Sequence, residues 1–224
     1  MPGAGGWSDR MSQLGFSVVG ARVEHYAAVP TLMLRLRIDE ASGAEIQAIA
    51  LRCQIQIEPR KREYSGNEED RLLELFGEPE RWGTTLRPVL WSQASVMVPR
   101  FEGQTEIDLP LTCTYDFEVA SAKYLQALDD GEIPLLLLFS GTVFGQGDAG
   151  FNVEQVPWDQ EASFRLPVRL WREAMDHYFP GCAWVRLGRE SFDALLRFKG
   201  RRALPTWDAA IDALLKQADE GAEV

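Results

Sequence analysis

From Leu14 onward the chain alternates. Leu32, Leu34, Leu36 and Ile38 fall on one parity, while Arg35 and Arg37 fall on the other. The next segment repeats the pattern, with Ile49, Leu51, Cys53, Ile55 and Ile57 set against Ala50, Arg52, Gln54 and Gln56. A period of two predicts half-buried strands with one wet face. Gly43 and Ser42 lie between the two runs, so a hairpin is the expected connection. The register should be firm, because a slip of one residue would bury Arg52, Gln54 and Gln56, each at a cost on the order of 2 kcal/mol or more if unpaired.

The alternation breaks at Pro59. A helix is predicted over 68–76, with Asn67 as N-cap, Leu72, Leu73 and Phe76 on its buried side, and Gly77 as its stop. A loop rich in Pro, Gly and Trp runs through Trp82 and Pro88, and strand character returns over 89–98. Residues 105–119 alternate again through Ile107, Leu109, Leu111, Cys113, Tyr115, Phe117 and Val119. Pro110 cannot donate to a ladder, which places it on an edge or at a bulge. A short helix over 120–128 ends at Asp129-Asp130-Gly131. Residues 134–144 are apolar on both parities, predicting a strand covered on both faces; 145–150 then reads as a turn, and 151–158 and 162–166 as further strands. After Pro167, suited to a first helical position, the spacing becomes helical: Leu170, Trp171, Ala174, Met175 and Tyr178, then 190–198, then 207–218 capped by Thr206 with Ala210, Ile211, Leu214 and Leu215 on one side.

Strands first and helices last imply an α+β protein. The expected architecture is an antiparallel β-sandwich-like core with short helices and a helical C-terminal segment. The alternative is a single curved antiparallel sheet backed by helices, as in secretion chaperones. The expected organisation is a flexible leader over 1–13, a β-rich core over 14–166, a helical segment over 167–218 packed on that core, and an acidic tail over 219–224. A chain of 224 residues can bury a core without disulfide or metal.

Charge narrows the partners. Lys and Arg number 23 against 34 Asp and Glu, a net charge of −11, which repels phosphate backbones and anionic membrane surfaces on average. The two basic runs, Arg60-Lys61-Arg62 and Arg197 to Arg202 with Lys199 between, read as solvated faces, so no nucleic acid is expected. Three scattered cysteines, Cys53, Cys113 and Cys182, fit a reducing compartment. No signal-peptide pattern and no apolar run of membrane-spanning length appears. The expectation is a cytoplasmic protein without membrane insertion.

Candidate chemistry is sparse. Asp116 and Glu118 share the polar side of a predicted strand, roughly 7 Å apart, within range for paired-carboxylate catalysis, though a solvated strand face has the same pattern. Asp129, Asp130 and Glu132 lack the spacing of a calcium loop and read as a surface turn. Cys113 or Cys182 could pair with His25 or His177, but two histidines and three distant cysteines make a weak metal set; Cys53 and Cys113 lie on apolar faces, where a thiol is inert. Gly141, Gly145 and Gly147 lack the Lys-Ser/Thr of a phosphate loop and read as a hairpin turn, and Ser140 has no strand-to-helix elbow around it. No catalytic, cofactor-binding or metal residue is assigned, and no cofactor is expected. Seven tryptophans (Trp7, Trp82, Trp91, Trp158, Trp171, Trp184 and Trp207) are the one unusual count, and they either seal the joints between sheet and helices or form an interface.

Four stretches carry a resemblance: Leu75-Phe-Gly-Glu-Pro-Glu-Arg-Trp-Gly83, Cys113-Thr-Tyr-Asp-Phe-Glu-Val119, the run from Asp129 to Phe144, and Arg201-Arg-Ala-Leu-Pro-Thr-Trp-Asp208. They resemble a family of uncharacterised bacterial proteins, a domain of unknown function, whose members are encoded near nickel–iron hydrogenase genes. The resemblance implies an accessory role and supplies no catalytic residues. The leading expectation is a non-enzymatic adaptor that binds a protein partner, with hydrogenase maturation or assembly as its setting. The rival is a hydrolase or small-ligand-binding protein working from the Asp116/Glu118 face.

Overall fold

The computed structural model describes residues 13–114, 119–147, 150–182 and 187–222. The chain divides into two compact units, residues 1–183 and 184–224. In the first, two antiparallel sheets make the core. One holds β1 (Leu14–Glu24), β2 (Thr31–Glu40) and β6 (Gln104–Thr112) in the order β1-β2-β6. The other is built on β3 (Glu45–Ile57) and β7 (Glu132–Gly147). β3 pairs on its far side with β4 (Val89–Val98) and β5 (Phe101–Glu102), and β7 with β8 (Gly150–Gln155) and β9 (Glu161–Pro167). Their inner faces share one apolar cluster, and Phe16 of β1 stacks on Phe139 of β7 with ring centroids 4.4 Å apart. This is the two-sheet arrangement, not the single curved sheet.

The alternation explains the layering. Leu32, Leu34, Leu36 and Ile38 are fully buried on β2, as are Ile49, Leu51, Cys53, Ile55 and Ile57 on β3, with Arg52 outward. Pro110 lies in β6, an edge strand, where its missing donor costs no ladder bond. Two irregularities were hidden from the period. Ile46 is buried although its parity is opposite to Ile49, because β3 shifts register against β7 between Ile46 and Ala48. Opposite Ile55 and Gln56, β4 carries one extra residue, Trp91, and this bulge turns the indole into the core. On β7, Leu135, Leu137 and Phe139 are buried, but Leu136 and Leu138 are only half-buried, so the outer face is less covered than the apolar run suggested. The glycines expected in a hairpin turn are not there: Gly141 and Gly145 lie within β7, and the hairpin closes where Gly147 faces Gly150.

Helix α1 (Gly66–Phe76) begins two residues earlier than expected. Its N-cap is Ser65, not Asn67: Ser65 Oγ accepts from the Glu68 N–H, and Glu68 Oε2 accepts from the Ser65 N–H at 3.0 Å, a reciprocal capping box. Gly77 ends the helix at φ 73°, in the left-handed region that favours glycine. After the short α2 (Trp82–Thr85), α3 (Ala120–Ala127) packs on α1 and β4, and the Trp82 indole N–H donates to the Gly77 carbonyl at 2.8 Å. Helix α4 (Val168–Tyr178) buries Val168, Trp171, Ala174 and Met175 and packs on β1, β2 and β9.

A buried carboxylate fastens the β2–β3 turn. Glu40 Oε1 accepts from the N–H groups of Gln13 and Ser42 and from the Ser42 hydroxyl at 2.6 Å, while Oε2 accepts from the Ala44 N–H at 2.9 Å. Burial pushes its pKa up, but these donors outweigh that and hold it below the ordinary glutamate value. A group with a lowered folded pKa stabilises above its unfolded value, about 4.3, and loses that stabilisation as pH falls through the folded value. Glu40→Gln is therefore expected to cost about 1–3 kcal/mol near neutrality and to flatten the acid side of the stability profile. Urea midpoints that coincide with wild type at pH 7 would contradict this.

The second unit is a helical hairpin of α5 (Arg189–Arg201) and α6 (Trp207–Ala222). Thr206 Oγ1 accepts from the Ala209 N–H at 3.1 Å, capping α6. Between the helices, Phe192 meets Trp207 at a centroid distance of 5.4 Å and the Lys199 ammonium lies over the Trp207 ring.

Candidate functional site

The sequence candidates separate when placed in the fold. Asp116 and Glu118 lie outside the described residues. Asp129 Oδ1 pairs with Arg71 at 2.6 Å, and its N–H donates to Glu68 Oε1 at 2.8 Å, so this acidic turn is tied into the fold. Ser140 is exposed within β7, on the outer side of the strand.

Of the basic run at 60–62, Arg60 and Lys61 are exposed as expected, while Arg62 turns inward. Arg62 is nearly buried and pairs with the equally buried Glu68 at 2.5 Å. Its Nη1 donates to the Glu132 carbonyl at 2.9 Å and its Nη2 to the Asp130 carbonyl at 2.6 Å. Lys61 pairs with Glu58 at 2.7 Å. Beside them Tyr64 Oη donates to the Pro59 carbonyl at 2.7 Å, leaving the Tyr124 hydroxyl to donate to Tyr64 at 2.9 Å. Burial pushes the Tyr124 hydroxyl up to about 12 and that of Tyr64 higher still. Neither is an acid or base near neutrality. A shallow, open depression here is lined by Lys61, Arg62, Glu63, Gly131, Glu132 and Arg165. Its charges are mixed and its walls low, unlike a pocket that desolvates a substrate.

The fold brings the two histidines together. The rings of His25 and His177 meet edge to face at 4.8 Å, His177 Nε2 lies 3.1 Å from the His25 carbonyl, and His25 Nε2 is 3.9 Å from Glu173. Tyr178 Oη donates to the Ala27 carbonyl at 2.7 Å, so the cluster joins α4 to the β1–β2 turn. Among the described residues no group of three or more His, Cys, Asp or Glu is placed to hold a metal ion.

The thiols differ sharply. Cys53 and Cys113 are buried, and burial pushes each up to about 12, while Cys182 is exposed. In native protein an aromatic disulfide reagent is expected to titrate one thiol rapidly, and all three only after unfolding. Rapid reaction of two or three native thiols would show that the sandwich opens easily.

What remains are surfaces. Trp82, Trp91 and Trp171 are buried, and Trp7 and Trp184 lie outside the described residues. Trp158 is 95% exposed on the turn before β9. The larger feature is on the helical unit. Trp207, Ile211, Leu214 and Leu215 follow one another at i, i+4, i+7 and i+8 along α6, and all are exposed, Leu215 to 58%. Phe192 and Leu196, one turn apart on α5, are exposed as well, and α5 has no buried residue. The hairpin leaves a continuous apolar strip that its own two helices do not cover. The spacing of the strip was legible in the sequence, whereas its exposure was not.

A family model described as a family of unknown function (DUF6084) matches residues 11–223. No curated protein matches the sequence. Among solved structures, the CARDB domain of the PF1109 protein of Pyrococcus furiosus, crystallised in complex with di-metal ions, is 9% identical at a TM-score of 0.27, over 70% of this chain and 92% of that one. The putative ApaA protein of Bordetella pertussis is 16% identical at 0.25, over 69% and 93%. A β-glucosidase of Kluyveromyces marxianus is 7% identical at 0.26 over 69% of this chain, which spans 15% of that protein. Among the described residues no helix is long and apolar enough to cross a membrane.

Proposed function

We propose that this chain, which belongs to the DUF6084 family of unknown function, is a non-enzymatic accessory or adaptor protein that works by binding protein. The observation that carries this is the exposed apolar strip of Trp207, Ile211, Leu214 and Leu215 on α6 with Phe192 and Leu196 on α5. Large apolar side chains at helical spacing, left in water, mark contact surfaces. Aromatic anchors such as Trp207 are the residues that most often carry binding energy. The resemblance to proteins encoded beside nickel–iron hydrogenase genes supports hydrogenase maturation or assembly as the setting.

The test is capture from the native host with tagged wild type and with Ile211→Glu. A charge in the middle of the strip is expected to remove the captured protein, typically at least tenfold, while leaving the melting of the β-sandwich unchanged. Capture that is equal for both proteins would reject the strip as the contact surface.

A further inference from the structure

We propose that the outer face of the larger sheet is a second contact surface, which docks a partner protein through a carboxylate set among apolar side chains. It belongs to the β-sandwich and not to the helical unit, so it goes beyond the reading of the apolar strip and does not depend on it. The outer faces of the two sheets differ in chemistry. On the smaller sheet every outward arginine meets a carboxylate of another strand: Arg22 and Arg35 share Asp108 at 3.0 and 3.1 Å, and Arg37 pairs with Glu106 at 2.9 Å. On the larger sheet the outward positions of β3 from Ala48 to Gln56, and of β7 from Leu136 to Phe144, hold a single charge, Arg52. Across the ladder Arg52 lies between Ser95 and Ser140, and along β3 between Ala50 and Gln54. None of these is an acid, although the chain has 34 acidic residues to 23 basic, and among the described residues no carboxylate pairs with Arg52.

The same side of the sheet leaves apolar side chains in water. Leu90 opposite Gln56, Met97 opposite Ala50 and Val153 opposite Phe144 are exposed, and Leu136 and Leu138 are half-buried. Few charges, exposed apolar groups and a central arginine are the composition of an interface core, not of a solvated face. Charge complementarity then names the occupant. A carboxylate laid over Arg52 gains a charge-assisted bond, and there is no anion beside the arginine for it to displace. A second copy centred on this face would oppose two unpaired arginines, and a nucleic acid would need a run of cations where there is one. A protein segment with Asp or Glu between large apolar residues fits.

A displayed library of random peptides, panned on the full chain, tests this. A net charge of −11 repels acidic peptides on average, so recovery of sequences with Asp or Glu between large apolar residues is both the expected result and a diagnostic one. Such peptides should bind Arg52→Glu at least about tenfold more weakly than wild type. To separate the loss of charge from a disturbed strand, Arg52→Gln places at this position the same side chain as Gln54, and it should weaken binding as well. Peptides whose acid is changed to Lys should regain affinity for Arg52→Glu. A library that yields no acidic peptides overturns the inference, as do acidic peptides that bind wild type and both variants equally. Peptides that lose affinity for Ile211→Glu and keep it for the Arg52 variants overturn it too, and leave the adaptor reading of the helical strip standing. If the Arg52 variants lose the peptides while host capture is equal for wild type and Ile211→Glu, the strip reading falls and this surface stands.

Discussion

Gly141→Ala is expected to destabilise the protein by about 3 kcal/mol or more, enough to reduce soluble expression severely. The residue lies in mid-strand at φ 153°, and a Cβ built there comes within 2.2 Å of the Ala50 carbonyl oxygen on the neighbouring strand. That neighbour is backbone of β3, held between β4 and β7, so it cannot step aside as a flexible side chain would. The Gly141 carbonyl also accepts from the Val156 N–H at 3.0 Å, where β8 is leaving the strand. Gly145→Ala is the control: its Cβ meets nothing nearer than the Glu45 carbonyl at 3.7 Å, an ordinary contact. Denaturant titration of both variants should separate them by at least about 2 kcal/mol. Equal midpoints would mean that β3 and β7 shift apart freely at this point.

The second large effect is expected from Arg62. Removing it by Arg62→Met leaves Glu68 buried with its charge uncompensated, a loss of about 3–5 kcal/mol for pairs of this kind. Glu68 would keep its bonds from the Ser65 and Asp129 N–H groups, so adding Glu68→Gln to Arg62→Met removes the unpaired charge while preserving an acceptor. Part of the loss should return in the double variant, and the coupling in a double-mutant cycle should exceed about 1 kcal/mol. Arg60→Met, next to the pair but exposed, should change stability by no more than about 0.5 kcal/mol. If Arg62→Met behaves like Arg60→Met, the ion pair contributes nothing to the junction between 59–68 and 129–132.

How these groups were visible in the sequence depended on range. Period two located β2 and β3 and the side each buries, because burying one face of a sheet imposes that period locally. Pro110 located an edge for an equally local reason. Ser65 was within reach too, since Ser-x-x-Glu is the capping-box pattern, but Asn67 lay closer to the apolar residues and drew the assignment. The bulge at Trp91 and the parity change between Ile46 and Ile49 were out of reach, because a bulge is defined by the partner strand and not by the strand that carries it. Gly141 was read as a turn residue for the same reason: the demand for a missing side chain comes from Ala50, distant in sequence. Arg62 looked like part of a solvated basic run until Glu68 and the carbonyls of Asp130 and Glu132 closed around it. The apolar strip of the hairpin was legible as a strip, but helical spacing says that a face wants cover, not what supplies it.

The pairing of β3 with β7 has a consequence for how the protein is made. Cys53 lies opposite Phe139 and Ile57 opposite Leu135, so the two central strands of the larger sheet are contributed by distant parts of the chain. During synthesis β3 meets β4 early, while its other edge, with the fully apolar row from Ile49 to Ile57 beside it, waits until residues beyond 147 have left the ribosome. Closing so long a loop before any of its contacts form is slow, and an unpaired central strand is the kind of surface on which nascent chains associate. Refolding from denaturant should accordingly be limited by this one junction and lose yield as protein concentration rises, with the late arrival of β7 setting the interval in which a holding chaperone is useful.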